Sequence, residues 1–123
     1  SVPVVPVVVD GAVAQVVDAG LDVTAAEGDT VILTGAIRDS EASNGSDFGY
    51  LWTIRDTSSV IVHESSGTIN ASSFTLDSYG VRTACVPVQF LAADNGSYSA
   101  TLTVTDLNTV REYSDLLEIS AMP

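Results

Sequence analysis

The run Asp94-Asn95-Gly96-Ser97-Tyr98-Ser99-Ala100-Thr101-Leu102-Thr103-Val104-Thr105-Asp106 alternates apolar and hydroxyl-bearing side chains from Tyr98 onward. Tyr98, Ala100, Leu102 and Val104 share one face, and Ser99, Thr101, Thr103 and Thr105 share the other. A period of two predicts a half-buried β-strand. Asn95-Gly96 supplies the positive φ that a sharp turn into this strand requires. Asp94, Gly96 and Tyr98 at this spacing match a tyrosine corner. There the phenol hydroxyl bonds back to main chain a few residues upstream and fixes a crossover between two sheets.

The other segments point the same way. Thr30 to Gly35 reads as an alternating strand with Val31 and Leu33 inward, after a turn at Glu27-Gly28-Asp29. Tyr50, Trp52 and Ile54 share a face of the next strand, and Trp52, the sole tryptophan, is the expected centre of the core. Val60-Ile61-Val62 centres a short strand, and Phe74 to Leu76 could pair briefly. Residues 86–91 form a strand in which Pro87 signals an edge or a bulge. Leu107-Asn108 is the expected hairpin turn into a last strand, with Tyr113, Leu117 and Ile119 in the core. Residues 38–49 and 65–73 are small and polar and read as loops, with Tyr79-Gly80 as a further turn. Together these predict an all-β, immunoglobulin-like β-sandwich of about 7–9 antiparallel strands in two sheets.

Residues 1–12 are Val- and Pro-rich and read as a linker or an N-terminal edge segment, with Gly11 as a turn, and residues 13–123 as the sandwich domain. Ala14 to Asp18 should open the sandwich and break at Ala19-Gly20. Residues 21–26 are expected as a second piece of the same edge. No stretch reads as a signal peptide or a membrane span, since residues 2–9 are apolar but too short and hold Pro3 and Pro6. The chain is expected to be one domain of a longer polypeptide.

Acids outnumber bases 16 to 4, for a formal net charge of −12, and the bases are Arg38, Arg55, Arg82 and Arg111. A basic footprint for nucleic acid or anionic lipid is absent, so neither nucleic-acid binding nor direct membrane insertion is expected. Cys85 is the only cysteine, so an internal disulfide is excluded and a buried inert thiol is expected.

The segments Glu27-Gly28-Asp29-Thr30-Val31-Ile32-Leu33-Thr34-Gly35, Tyr50-Leu51-Trp52-Thr53-Ile54 and Asp94 through Asp106 resemble a polycystic-kidney-disease (PKD) repeat. Val16-Val17-Asp18-Ala19-Gly20-Leu21-Asp22 is similar to that family's opening strand. The likeness spans residues 16–119. It departs after Trp52, where Thr53-Ile54-Arg55-Asp56 replaces the family's Gly-Asp-Gly turn, and it leaves a related immunoglobulin-like or cadherin-like domain open. The two disulfide positions of an antibody-type domain would fall at Gly35 and Ala100. Both residues are small, which would let the Trp52 indole pack directly between the sheets. The resemblance implies a non-catalytic extracellular or cell-surface module, a spacer or adhesion domain. Its expected partners are neighbouring domains of the same polypeptide, other proteins or carbohydrates.

Each chemical alternative meets a simpler one. His63 is the only candidate base for a hydrolase triad and sits in a Val-Ile-Val strand, so an edge histidine is expected. Asp94 and Asp106 could imitate a glycosidase pair, but turn-capping is the simpler role, and no enzyme activity is expected. Zinc ligands are lacking. No cofactor is expected, with calcium the one candidate: Asp39, Glu41, Asn44 and Asp47 offer oxygens in one loop without EF-hand spacing. The PKD resemblance adds Asp18 or Asp22 to that set. Asn44, Asn70 and Asn95 each begin an N-glycosylation sequon. A carbohydrate-binding accessory module would need an exposed aromatic pair, with Phe48, Phe74 and Tyr79 the expected surface aromatics. Calcium-dependent adhesion would need clustered carboxylates at one pole.

Overall fold

Side-chain parity, held from end to end in the long strands, decides which face meets the core. A computed structural model of the chain describes residues 8–9, 12–13, 16–39 and 46–123. The strands are β1 (Val8–Val9), β2 (Ala12–Val13), β3 (Val16–Asp18), β4 (Val23–Ala26), β5 (Thr30–Asp39) and β6 (Phe48–Arg55). They continue as β7 (Ile61–Ile69), β8 (Thr75–Leu76), β9 (Arg82–Leu91), β10 (Gly96–Asp106) and β11 (Arg111–Met122), with a 3-10 turn at Ala71–Ser73.

The order β3-β5-β9-β8 forms one sheet and β4-β11-β10-β6-β7 the other, while β1 and β2 pair with each other. The two large sheets make a β-sandwich with the strand order of an immunoglobulin-like fold. The pairings within it are antiparallel apart from β4 with β11, which run parallel.

That parallel pair corrects the expectation that residues 21–26 continue the edge begun by β3. The chain instead changes sheets between Asp18 and Val23. Buried Asp115 on β11 accepts the Ala19 N–H through Oδ2 at 2.9 Å. Asp18 Oδ1 accepts the Gly20 N–H, and Asp22 Oδ1 accepts the Glu118 N–H, both at 2.9 Å. Gly20 takes φ +105° at the crossing, a conformation that disfavours any side chain. Carboxylates thus replace the ladder bonds that a sheet change interrupts.

The core lies between the sheets. Trp52 is 0% exposed, and its indole N–H crosses from β6 to donate to Val86 O on β9 at 2.9 Å. Gly35 on β5 lies against it: a Cβ there would sit 2.6 Å from Leu102 Cδ2 and 2.7 Å from Trp52 Cζ2. Ala100 is also fully buried. Two small residues therefore leave the space that the indole fills.

Parity also corrects three side-chain expectations. In β9, Ala84, Val86, Val88 and Phe90 face inward, so Cys85 falls on the outer face and is exposed rather than buried. Phe48 is in phase with Trp52 and Ile54 and is buried rather than exposed. Phe74 is buried too, with its ring 5.5 Å from that of Phe48. Two expected loops are partly strand. Asp39 still belongs to β5 and Phe48 already to β6, and β7 runs on to Ile69 although both its faces are largely exposed. Pro87 falls beyond the end of β8, where the outer edge of β9 has no strand partner among the described residues. Gly11, Glu41 and Asn44 lie outside the described residues, as does residue 14, the expected start of the first strand.

The registers define two poles. Thr30 opposite Leu91 and Gly96 opposite Ala121 mark the Tyr98 pole. Asp39 opposite Arg82 and Asp106 opposite Arg111 mark the Arg82 pole.

Candidate functional site

At the Arg82 pole hydrogen bonds tie several connections into one chain. Asp39 ends β5 and Arg82 begins β9, both on the buried phase of their strands. Arg82 Nη1 donates to Asp39 Oδ2 at 2.9 Å, and Nη2 donates to Ala71 O at 2.8 Å. The guanidinium carbon lies 4.6 Å from the Phe74 ring centre. Such a planar cation can be buried because its charge, two of its donors and its face find partners. The Ala71 N–H donates to Asp47 Oδ1 at 2.7 Å, and the Leu107 N–H donates to Asp47 O at 3.0 Å. The β8–β9 hairpin, the 3-10 turn, the start of β6 and the β10–β11 turn are thereby joined.

This tied pole displays apolar side chains. Tyr79 at the β8–β9 tip is 89% exposed, and Leu76 and Leu107 are exposed as well. Val110 is 78% exposed and held at φ +61°, with its N–H donating to Asp106 O at 2.7 Å. A β-branched residue rarely adopts the left-handed region, and here burial does not compensate.

The calcium candidates among the described residues have other partners. Asp39 faces Arg82, and Asp47 holds Ala71. Asp18, on β3 opposite Ala36, accepts the Gly20 N–H and has Oδ2 3.7 Å from Arg38 Nη1. Among the described residues no group of three or more His, Cys, Asp or Glu side chains is arranged to hold a metal ion. Of the aromatics expected at the surface, only Tyr79 is exposed, so no pair forms from that set. His63 lies half-buried on β7, its ring 6.2 Å from that of Phe90. Asp106 caps its own turn by accepting the Asn108 N–H at 2.9 Å.

The opposite pole is built on Tyr98. Its hydroxyl donates to Asp94 O at 2.8 Å and accepts the Asp94 N–H at 3.3 Å. Gly96 takes φ +125°. Glu27 Oε2 accepts the Asn95 N–H at 3.0 Å, which joins the β4–β5 turn to the corner. Asn70 and Asn95 are exposed.

Sequence reasoning missed Arg82 and Asp115. A signal existed for both. Arg82 is in phase with Ala84, Val86, Val88 and Phe90, and Asp115 with Leu117 and Ile119. A charge on the buried phase of a strand requires a partner.

Fold and site together define a protein of the immunoglobulin-like β-sandwich class. No protein-family model and no curated protein matches the chain. Among solved structures, a family 123 glycoside hydrolase from Clostridium perfringens aligns with TM-score 0.47 and 9% identity. That alignment covers 82% of this chain and 22% of the hydrolase chain. No helix among the described residues is long and apolar enough to cross a membrane.

Proposed function

We propose that this sandwich is a non-catalytic, PKD-like structural and interaction module of a larger secreted or cell-surface protein. It sets a fixed distance between neighbouring domains of the same polypeptide and offers loops for weak protein contact. The path of the chain carries this reading. β3 sets out near the Arg82 pole, opposite Arg38, and β11 ends at the Tyr98 pole, beside Gly96. Domains joined through β3 and through β11 therefore attach at opposite poles. A strand the length of β11 spans roughly 40 Å at the usual rise per residue. The hydrogen-bonded loops of the Arg82 pole support the contact role, since they present Tyr79, Leu107 and Val110 on a braced support.

Small-angle scattering from two copies of the full chain in tandem tests the spacing role. The maximum dimension should grow by roughly 40 Å for the second copy. A side-by-side arrangement that adds less than about half of that would overturn it.

A further inference from the structure

Among the described residues the two sheets leave two long edges open on the same flank, and they are guarded unequally. The outer edge of β9 is covered at its start by β8 and interrupted by Pro87. Pro on an edge is a common defence against strand addition. Among the described residues β7 pairs with β6 alone, and along Ile61–Ile69 it contains no Pro and no Lys. Its register shift leaves Val62 unopposed between Ile61 and His63, and the ladder with β6 is regular from His63 to Ile69. The approach to this edge is apolar: Val60, Ile61 and Val62 are consecutive and 57%, 45% and 43% exposed. Three exposed apolar residues in a row on an open edge are a liability unless a partner covers them.

The surroundings state the partner's charge. Val62 lines a depression of about 220 Å³ together with Asp56, Asp94, Asn95 and the Tyr98 ring. Asp56 Oδ1 accepts the Ser58 and Val60 N–H groups. Asp94 contributes only main chain to the tyrosine corner. Glu64 projects from β7 itself, and the chain carries −12 overall. A second copy would bring the same negative charge to the edge, whereas a basic segment would be attracted to it.

We propose that β7 is a strand-addition site for an extended, basic segment of a partner protein. The segment's main chain would pair along Ile61–Ile69, its apolar side chains would cover Val60 to Val62, and one Arg or Lys would reach the Asp56–Asp94 depression. Main-chain pairing gives such a site affinity, and the side-chain pockets give it selectivity. This interaction is separate from the spacing role and from the loops of the Arg82 pole.

Amide hydrogen exchange of the full chain is followed by NMR with the probe acetyl-Arg-Val-Thr-Val-Thr-Val-Arg-amide. A control peptide carries Glu in place of both Arg. The Arg peptide should slow exchange saturably at alternate amides of β7, and the Glu peptide should bind at least about tenfold more weakly. Asp94→Asn should weaken the Arg peptide by about two- to fivefold, the range for exposed ion pairs. Ile61→Lys, at an exposed position, should abolish the β7 protection while Trp52 fluorescence stays native. Unchanged β7 exchange, or equal binding of the two peptides, would overturn the proposal. So would a concentration-dependent dimer of the free chain that Ile61→Lys disperses, because the edge would then belong to a second copy.

Discussion

The two poles are closed by different chemistry. At the Tyr98 pole the corner itself is local, with a phenol bonding four residues back to Asp94 and Gly96 making the turn, and the β4–β5 turn is joined to it mostly through main chain. At the Arg82 pole one buried guanidinium on β9 joins Asp39 at the end of β5 to Ala71 and the capping Phe74 of the 3-10 turn, two segments far from each other in sequence. The first device loses little if one bond fails. The second holds an ion pair out of water, where removing one partner leaves the other without its counter-charge.

Arg82→Met is the most direct way to break this contrast. It removes the counter-charge of a buried carboxylate and the donor to Ala71 O. The expected loss is about 3–5 kcal/mol, or a fall in Tm of roughly 10–20 °C for a domain of this size. Thermal and urea unfolding measure it. A loss below that of Tyr98→Phe would mean that the pole is held by its backbone after all.

Gly35→Ala gives the scale at the midplane, between the poles. Its methyl would meet Trp52 and Leu102 well inside contact distance, so overpacking should cost about 1–3 kcal/mol. Tyr98→Phe keeps the ring against Phe90, whose centroid lies 4.9 Å away, and removes only the hydroxyl. About 1 kcal/mol should be lost, with faster exchange of the Asp94 amide as the local readout.

The same contrast explains what the sequence disclosed. The Tyr98 corner was legible because its partners are four residues apart and its strand alternates without exception. The β-sandwich followed from similar local patterns at residues 30–35 and 50–54. The Arg82 cluster was not legible as a cluster: Asp39 and Arg82 are 43 residues apart, and only the β5–β9 register brings them together. Read locally, Asp39 and Asp47 were loop carboxylates suited to an ion. In the fold they hold the stem of that loop. The sheet change at Gly20 was hidden for the same reason, since Asp115 lies 96 residues from the Ala19 amide it accepts.

Val110→Asn sharpens the comparison in the opposite direction. The turn at the Tyr98 pole gives its positive φ to Gly96, whereas the turn after β10 gives φ +61° to Val110. Asn tolerates the left-handed region and keeps the N–H that donates to Asp106. Glycine would also relax the strain but would add freedom to the unfolded chain. Val110→Asn should therefore stabilise by about 0.5–1 kcal/mol, visible as a higher urea midpoint with an unchanged slope. If stability falls instead, the Val110 side chain contributes to folding in a way its exposure does not reveal.

Calcium should have the smallest effect, and it tests the charged pole most closely. At Asp39 the ion would compete with the Arg82 guanidinium, which already offsets the carboxylate's charge, and at Asp47 with the Ala71 N–H on Oδ1. Asp18 lies on β3 and is occupied with Gly20. The melting midpoint in millimolar calcium should match that in EDTA to within about 1 °C at fixed ionic strength. A rise of several degrees that magnesium does not reproduce would mean that these carboxylates exchange Arg82 and Ala71 for the ion. Arg82→Met would then lose less stability in calcium than in EDTA, because the ion would stand in for the missing guanidinium.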